Sequence, residues 1–268
     1  MKKFLLLGLF FNVVLFPLQT VFAQLLIEEG KVSFSVAPGG SAQGIINLNN
    51  TSDQDVKVRA YWEDFVYLPP FDGKKNFLPA GSMDNSIAKW VHFTPQDFVL
   101  PAKSKKKISY SIKVPEDAHG GYYGVLFFEN FSEEMKDING VQIITRVGSL
   151  FFLETTDSIK KGRVGRLSAE QNTVVGELEN TGDVIITPNG VYYILGKDGV
   201  VVDRGEVEKF YIPPREKTKF RAHFSQDLSL GKYTMVITFD LGDGKSVVKE
   251  IDFTKSSASE TKILEERD

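Results

Sequence analysis

The stretch PEDAHGGYYGVLFFEN, residues 115–130, decides the fold, because two glycines precede a nearly unbroken run of large apolar residues. Successive side chains of an extended strand point to opposite faces. The two faces are Tyr122, Leu126 and Phe128 on one side and Tyr123, Val125 and Phe127 on the other. Neither face is polar, so the sequence predicts a strand that is covered on both sides.

A second stretch, VQIITRVGSLFFLET at residues 141–155, has the same property. Burying one large apolar side chain stabilises a protein by about 1.5–3 kcal/mol, and an uncovered apolar face is typical of a binding surface. We therefore predict that one face of each strand lies in a sandwich core and the other under a second domain or a partner. The pattern does not say which face is which. The residues that we assign to partner binding are Tyr123, Val125, Phe127, Leu150 and Phe152.

The rest of the chain also alternates with period two, in segments such as KVSFSV and ISYSIKV that end at Gly, Pro, Asn and Asp. This pattern is typical of an all-β sandwich rather than of alternating strands and helices. Residues 64–86 are rich in turn-forming residues and are predicted to form a long loop. Residues 256–268 are polar and are predicted to be a frayed tail.

The N-terminus, MKKFLLLGLFFNVVLFPLQTVFAQ, combines a basic start, an apolar run of about 12 residues and a small residue at its end, which is the pattern of a signal peptide. The alternative, an uncleaved membrane anchor, needs about 20 apolar residues. We predict a signal peptide over residues 1–23, no later membrane span, and a periplasmic or extracellular location.

The predicted order is then a signal peptide followed by two tandem immunoglobulin-like β-sandwich domains. The predicted limits are 1–23 for the signal peptide, 24–157 for the first domain, 158–255 for the second and 256–268 for the tail. The chain has no cysteine, so disulfides and thiolate sites are excluded and the core alone must stabilise it. The net charge of −3 argues against a general nucleic-acid binder.

Few residues suggest catalysis or metal binding. His92, His119 and His223 are isolated in the sequence and lack the spacing of metal ligands. Glu63 and Asp64 are adjacent carboxylates, as are Glu116 and Asp117, but nothing in the sequence places either pair in a cleft. No nucleophile-elbow, phosphate-loop or dinucleotide motif occurs. We predict no cofactor, no metal and no enzymatic activity.

The segments at residues 37–65 and 89–129 resemble the first immunoglobulin-like domain of PapD-like periplasmic pilus chaperones and of WxL-interacting surface proteins. The motifs that carry the resemblance are Pro38-Gly39-Gly40, NLNNTSDQDVKV, LPAKSKKKISYSI and VPEDAHGGYY. The segment LENTGDVIITPNGVYYILGKDG resembles the second domain of such proteins. The resemblance implies a subunit's carboxyl terminus held by basic residues between the domains, and an exposed alternating strand. Those basic residues have no clear counterpart here, although Arg146 lies near a suitable strand.

We therefore expect a non-catalytic envelope protein that binds or chaperones another envelope or surface protein subunit through apolar strand surfaces of its first domain. The alternative is an adhesin-like module that binds peptidoglycan or another cell-surface polymer. Lys103, Lys105, Lys106 and Lys107 could meet an anionic polymer, or could simply protect a strand edge from aggregation. A hydrolase is the third class to be tested.

Overall fold

The computed structural model describes residues 25–130 and 144–268. Every regular element in these residues is a β-strand, which confirms the all-β class. The predicted signal peptide, residues 1–23, lies outside the described residues. Within the described ranges, no helix is long and apolar enough to cross a bilayer.

The first half of the chain forms two packed sheets. Its strands are β1 (Leu25–Ile27), β2 (Lys31–Val36), β3 (Ser41–Asn50), β4 (Val56–Tyr67), β5 (Lys75–Pro79), β6 (Val91–Thr94), β7 (Asp97–Leu100), β8 (Lys105–Lys113), β9 (Gly121–Asn130) and β10 (Arg146–Thr155). One sheet has the order β1-β3-β8-β6, and the other has the order β2-β10-β9-β4-β5, with β7 also paired to β4. The pair β2 and β10 is parallel.

The second half forms a further two-sheet sandwich. Its strands are β11 (Gly162–Val164), β12 (Ser168–Glu170), β13 (Thr173–Asn180), β14 (Asn189–Leu195), β15 (Val201–Val207), β16 (Lys217–His223), β17 (Gly231–Gly242), β18 (Lys245–Ser257) and β19 (Glu260–Arg267). Strands β11, β12 and β16 pair with β13, and the other sheet has the order β15-β14-β17-β18-β19. Each half has its own hydrophobic core, and the predicted boundary at residue 158 falls between β10 and β11.

A large indole explains why a glycine interrupts the apolar run of β9. A Cβ atom at Gly124 would lie 2.1 Å from Cζ2 of Trp62, which is far inside contact distance. The Trp62 ring, on β4, therefore packs directly on the β9 backbone and also meets Phe151 of β10 edge-on, with ring centroids 5.2 Å apart. This close approach binds the three central strands of the sheet into one core.

The prediction of a long loop over residues 64–86 is wrong. Strand β4 continues to Tyr67, and β5 pairs with it in register from Glu63 to Tyr67, so that the segment forms a β-hairpin. The prolines lie in the turn or at the end of β5 rather than within a central strand. Phe65 and Tyr67 are buried against the neighbouring strand β9, and this burial stabilises a hairpin that its turn-rich composition concealed.

The prediction of a frayed tail over residues 256–268 is also wrong, because β18 and β19 form an antiparallel pair there. Ile263 packs against the core of the second half. Arg267 forms ion pairs with Glu250 at 2.5 Å, Asp252 at 2.8 Å and Glu265 at 3.0 Å. The polar residues therefore occupy the wet side of a paired edge strand.

Candidate functional site

The structure decides which face of β9 and β10 belongs to the first sandwich. Leu126, Phe128, Phe151 and Leu153 lie in its core, with Tyr122 packed against them. The residues predicted to bind a partner face the other way, and they pack together in a separate aromatic cluster. Their exposed fractions are 3% for Tyr123, 1% for Val125, 5% for Phe127 and 8% for Phe152, and Leu150 is half-buried.

Most of the cover over this second face comes from the β4–β5 hairpin. Phe65 packs against Phe152 and Phe77 against Phe127, with ring centroids 5.7 Å and 5.0 Å apart. The guanidinium of Arg146 lies 4.1 Å from the centroid of the Phe127 ring. The side chains that the sequence predicted to be a partner surface are therefore shielded by the chain itself.

Arg146 is held in place by a small polar group at the edge of this cover. Its Nη1 donates to the Tyr61 hydroxyl at 3.1 Å and to Glu63 Oε1 at 3.2 Å, and Tyr61 donates to Glu129 at 2.8 Å. The hydrogen bond to Tyr61 and the charge of Glu63 raise the pKa of Arg146. Arg146, which the sequence placed near a suitable strand, thus pairs within its own domain.

The second sandwich completes the cover. Tyr211 stacks on Tyr67 at 4.9 Å, and its backbone N–H donates to the carbonyl of Phe71 at 2.8 Å. The hydroxyl of Tyr123 accepts a hydrogen bond from the backbone N–H of Ile185 at 2.7 Å. Burial raises the pKa of Tyr123 well above its usual range. The hairpin and β9 therefore fix the second domain against the first.

A cleft of about 750 Å³ remains open between the two domains on the side of β2. Strand β2 forms its wall on the first domain and, among the strands that the structure describes, is hydrogen-bonded to β10 alone, along one edge. The carbonyls of Gly30 and Val36 accept hydrogen bonds from β10 and the residue after it. Because backbone groups alternate between the two edges of a strand, those of Lys31, Ser33 and Ser35 face the open edge.

Some of the charged side chains that line the cleft form ion pairs with each other, and others do not. The lining includes Lys31, Lys160, Lys245, Glu154, Asp240 and Asp243. Lys160 bridges the domains, with its Nζ 3.0 Å from Glu154 and 2.7 Å from Asp243. Burial lowers the pKa of Lys160, but its hydrogen bonds to these carboxylates outweigh that effect and raise the pKa overall.

Lys31 stands out from the other charges on this wall. Its ammonium lies 4.5 Å from the centroid of the Phe152 ring, and it makes no ion pair with any residue that the structure describes. Phe152 also lines the cleft, so this pair presents a cation and an aromatic edge to the open side of β2. The site offers hydrogen-bonding backbone, a positive charge and an apolar wall to an extended chain.

Several of the other candidate residues have structural partners. No group of three or more potential metal ligands occurs among the described residues. Asp64 is fully buried and accepts hydrogen bonds from Ser86 Oγ at 2.6 Å and from the Met83 N–H at 3.0 Å. In the lysine cluster, Lys103 pairs with Asp53 and Lys105 with Glu28.

No protein-family model matches this chain, and no curated protein matches it. Solved structures do. One belongs to a chaperone–tip adhesin complex vital for synergistic activation of CFA/I fimbriae biogenesis, with 13% identity, a TM-score of 0.53, and coverage of 84% of this chain and 97% of that chain. Another is the class 5 fimbriae chaperone CfaA, with 13% identity, a TM-score of 0.52 and the same coverage. The chain therefore has the two-domain PapD-like chaperone fold.

Sequence reasoning singled out the side chains of the aromatic cluster and, through the family resemblance, expected a site between the domains, but it did not identify the residues that line the cleft. Alternation in KVSFSV correctly places Lys31 on an exposed face of a strand. The sequence near Lys31 does not indicate that the opposite wall of the cleft is formed by residues such as Asp240 and Lys245, which lie more than 200 positions away. The composition of residues 64–86 likewise hid the hairpin that covers the predicted partner face.

Proposed function

We propose that this chain is an exported, non-catalytic binding protein that holds an extended segment of another envelope or surface protein in the cleft between its two domains. The observation that carries the proposal is the open edge of β2 in the cleft, beside Lys31. An extended segment adds to such an edge through main-chain hydrogen bonds. Lys31 would attract a carboxylate of that segment, such as a chain terminus.

Export rests on the signal-peptide pattern of residues 1–23, and the fold supports the same conclusion by its likeness to fimbrial chaperones. The partner is then a protein subunit that passes through the same compartment. Preorganisation of the cleft supports this role, because the hairpin and Tyr211 hold the two walls at a fixed separation.

Among the residues predicted to bind the partner, Phe152 is the one that lines the cleft, and we propose that it contacts the partner directly. Tyr123, Val125, Phe127 and Leu150 lie in the cluster under the hairpin or the second domain. Their direct contact with a partner stays a prediction, and it would require the hairpin to move aside. In the proposal they act mainly by supporting the cleft wall from beneath.

The polymer-binding alternative has less support. Lys103 and Lys105 pair with carboxylates, and the ammonium of Lys106 lies 5.3 Å from the Phe98 ring centroid. These contacts favour the interpretation that the lysines protect and solvate strand β8. Retention of the chain on a purified cell-surface polymer is the result that would favour this alternative.

Affinity capture with a tagged chain of residues 24–268, which lacks the predicted signal peptide, tests the proposed function. We expect an envelope extract of the source organism to yield a stoichiometric protein partner, which is then purified and tested for direct binding. Lys31→Glu should weaken this binding at least tenfold, whereas Lys107→Glu, the same charge change at an exposed position of β8, should not. Retention on purified peptidoglycan or polysaccharide without a protein partner would contradict the proposal, as would turnover of a glycan panel.

A further inference from the structure

The turn before β9 places the ring of His119 between two carboxylates. Nδ1 lies 3.0 Å from Asp157 Oδ2, and Nε2 lies 2.8 Å from Asp183 Oδ2. His119 belongs to the first domain, whereas Asp183 lies in the segment between β13 and β14 of the second. Asp157 lies two residues after the end of β10, at the start of the connection between the domains. One side chain thus joins the first domain, the connection and the second domain.

This geometry requires a protonated ring. An ionised carboxylate is only an acceptor, so a ring nitrogen that bonds to it must carry a hydrogen. A neutral imidazole carries a hydrogen on one nitrogen, and an imidazolium carries one on each. The neutral ring can therefore keep only one of the two contacts, and it turns a lone pair toward the other carboxylate.

The surrounding backbone makes Asp183 a structural part of the junction. Its carbonyl accepts a hydrogen bond from the Gly121 N–H at 3.1 Å, and its Oδ1 accepts one from the Ile159 N–H at 2.7 Å. The turn that carries His119 is itself fixed, because the His119 N–H donates to the Tyr122 hydroxyl at 3.1 Å. If the His119 ring no longer bonds to the Asp183 carboxylate, the hydrogen bond between the domains from Gly121 to the Asp183 carbonyl is therefore weakened as well.

We propose that His119 is a proton-dependent brace of the domain junction, which holds Asp157 and Asp183 together when it is protonated and releases one of them when it is neutral. Loss of the proton loosens the hydrogen bonds that join β9 to the Asp183 turn. The walls of the cleft are then less firmly fixed relative to each other. The brace follows from the contacts of His119 alone and does not depend on the identity of any partner.

The charged groups that act on the ring support this behaviour. The hydrogen bond from His119 to Asp157, aided by the charge of Asp183, raises the pKa of His119 above its usual value of about 6.5. Because this pKa is higher in the folded chain than in the unfolded chain, the brace is complete below about pH 6.5 and is lost as pH rises through the folded-state pKa. The pKa of Asp157 is lowered by hydrogen bonds from Thr155 and His119, so this partner stays ionised in mild acid.

Amide hydrogen exchange tests the proposal on a chain of residues 24–268 between pH 5.5 and 8.5. The reporters are the protection factors of the Gly121 and Ile185 amides, which correct for the intrinsic pH dependence of exchange. We expect protection to fall about two- to fivefold as His119 loses its proton, the range typical of an exposed ion pair. The chain has three histidines, so the His119 ring signals can be followed in the same samples by NMR.

Three variants separate the brace from a general effect of pH. His119→Gln should show the low protection at every pH, with no step. Asp183→Asn keeps the Oδ1 acceptor for Ile159 but removes the charge, so it should lower the pKa of His119 and reduce the step. His92→Gln, an exposed change on β6, should keep the step. Protection that is independent of pH in the unmodified chain, or an unchanged step in His119→Gln, would overturn the proposal.

Discussion

Leu126 and Phe127 are neighbours in the sequence, but they belong to different hydrophobic layers. Leu126 is fully buried between the two sheets of the first domain. Phe127 is 5% exposed and lies under Phe77 and Arg146 on the outside of the same sheet. A charge at these two positions meets different surroundings, because the core has no polar partner for it and the outer layer lies next to Glu63 and Glu129.

We predict that Leu126→Lys prevents the first domain from folding, because it buries a charge without a partner and removes core packing. Phe127→Lys should fold with a loss of about 3–5 kcal/mol, since the hairpin can shift and the new ammonium can reach nearby carboxylates. Urea unfolding of a chain of residues 24–268, followed by near-ultraviolet circular dichroism, measures both effects. A folded Leu126→Lys variant, or equal losses in the two, would contradict this account of the layers.

At the scale of elements, simple alternation of apolar and polar residues was enough to predict a strand where one of its faces is exposed to solvent. Strands β2 and β8 follow their sequence patterns directly, and the apolar run of β9 correctly indicated cover on both faces. The hairpin of β4 and β5 was missed because its stability comes from Phe65, Tyr67 and Phe77 packing on β9, a contact between segments far apart in the sequence. Strand β19 was missed because its polar residues are matched by ion pairs with β18, which local composition does not reveal.

We predict that a chain ending at Ser257 melts at a lower temperature in its second domain. The truncation removes the packing of Ile263, the Arg267 ion pairs and the hydrogen bonds along one edge of β18. A loss of 1 kcal/mol lowers the melting temperature of a domain of this size by about 4–8 °C. Calorimetry of the full-length and shortened chains makes the comparison.

The matched control for the truncation is Leu264→Ala. Leu264 lies on the same strand but is 48% exposed, so its loss should change stability by less than about 0.5 kcal/mol. A shortened chain that melts like the full-length one would show that residues 258–268 do not stabilise the domain. The first domain should melt unchanged in every case.

At the scale of the whole molecule, the covered face of β9 and β10 and the open cleft lie on opposite sides of the same domain junction. The hairpin, Tyr211 and the hydrogen bond from Ile185 to Tyr123 close one side of the domain junction. The other side stays open along β2, where Lys31 and Phe152 face the cleft. The closed side keeps the open side in a fixed geometry. The apolar run of β9 indicated that its outer face is covered, but which segments cover that face, and where the cleft stays open, depend on how the two domains meet.

The most direct test of the proposed cleft is an NMR titration of isotope-labelled residues 24–268 with the purified partner obtained by affinity capture. We predict that binding shifts the amide signals of Lys31, Ser33 and Ser35 and that Lys31→Glu weakens these shifts, while signals of strand β8 stay in place. Shifts confined to β8 or to the β11, β12, β13 and β16 sheet of the second domain, with none along β2, would contradict the claim that the cleft holds the partner.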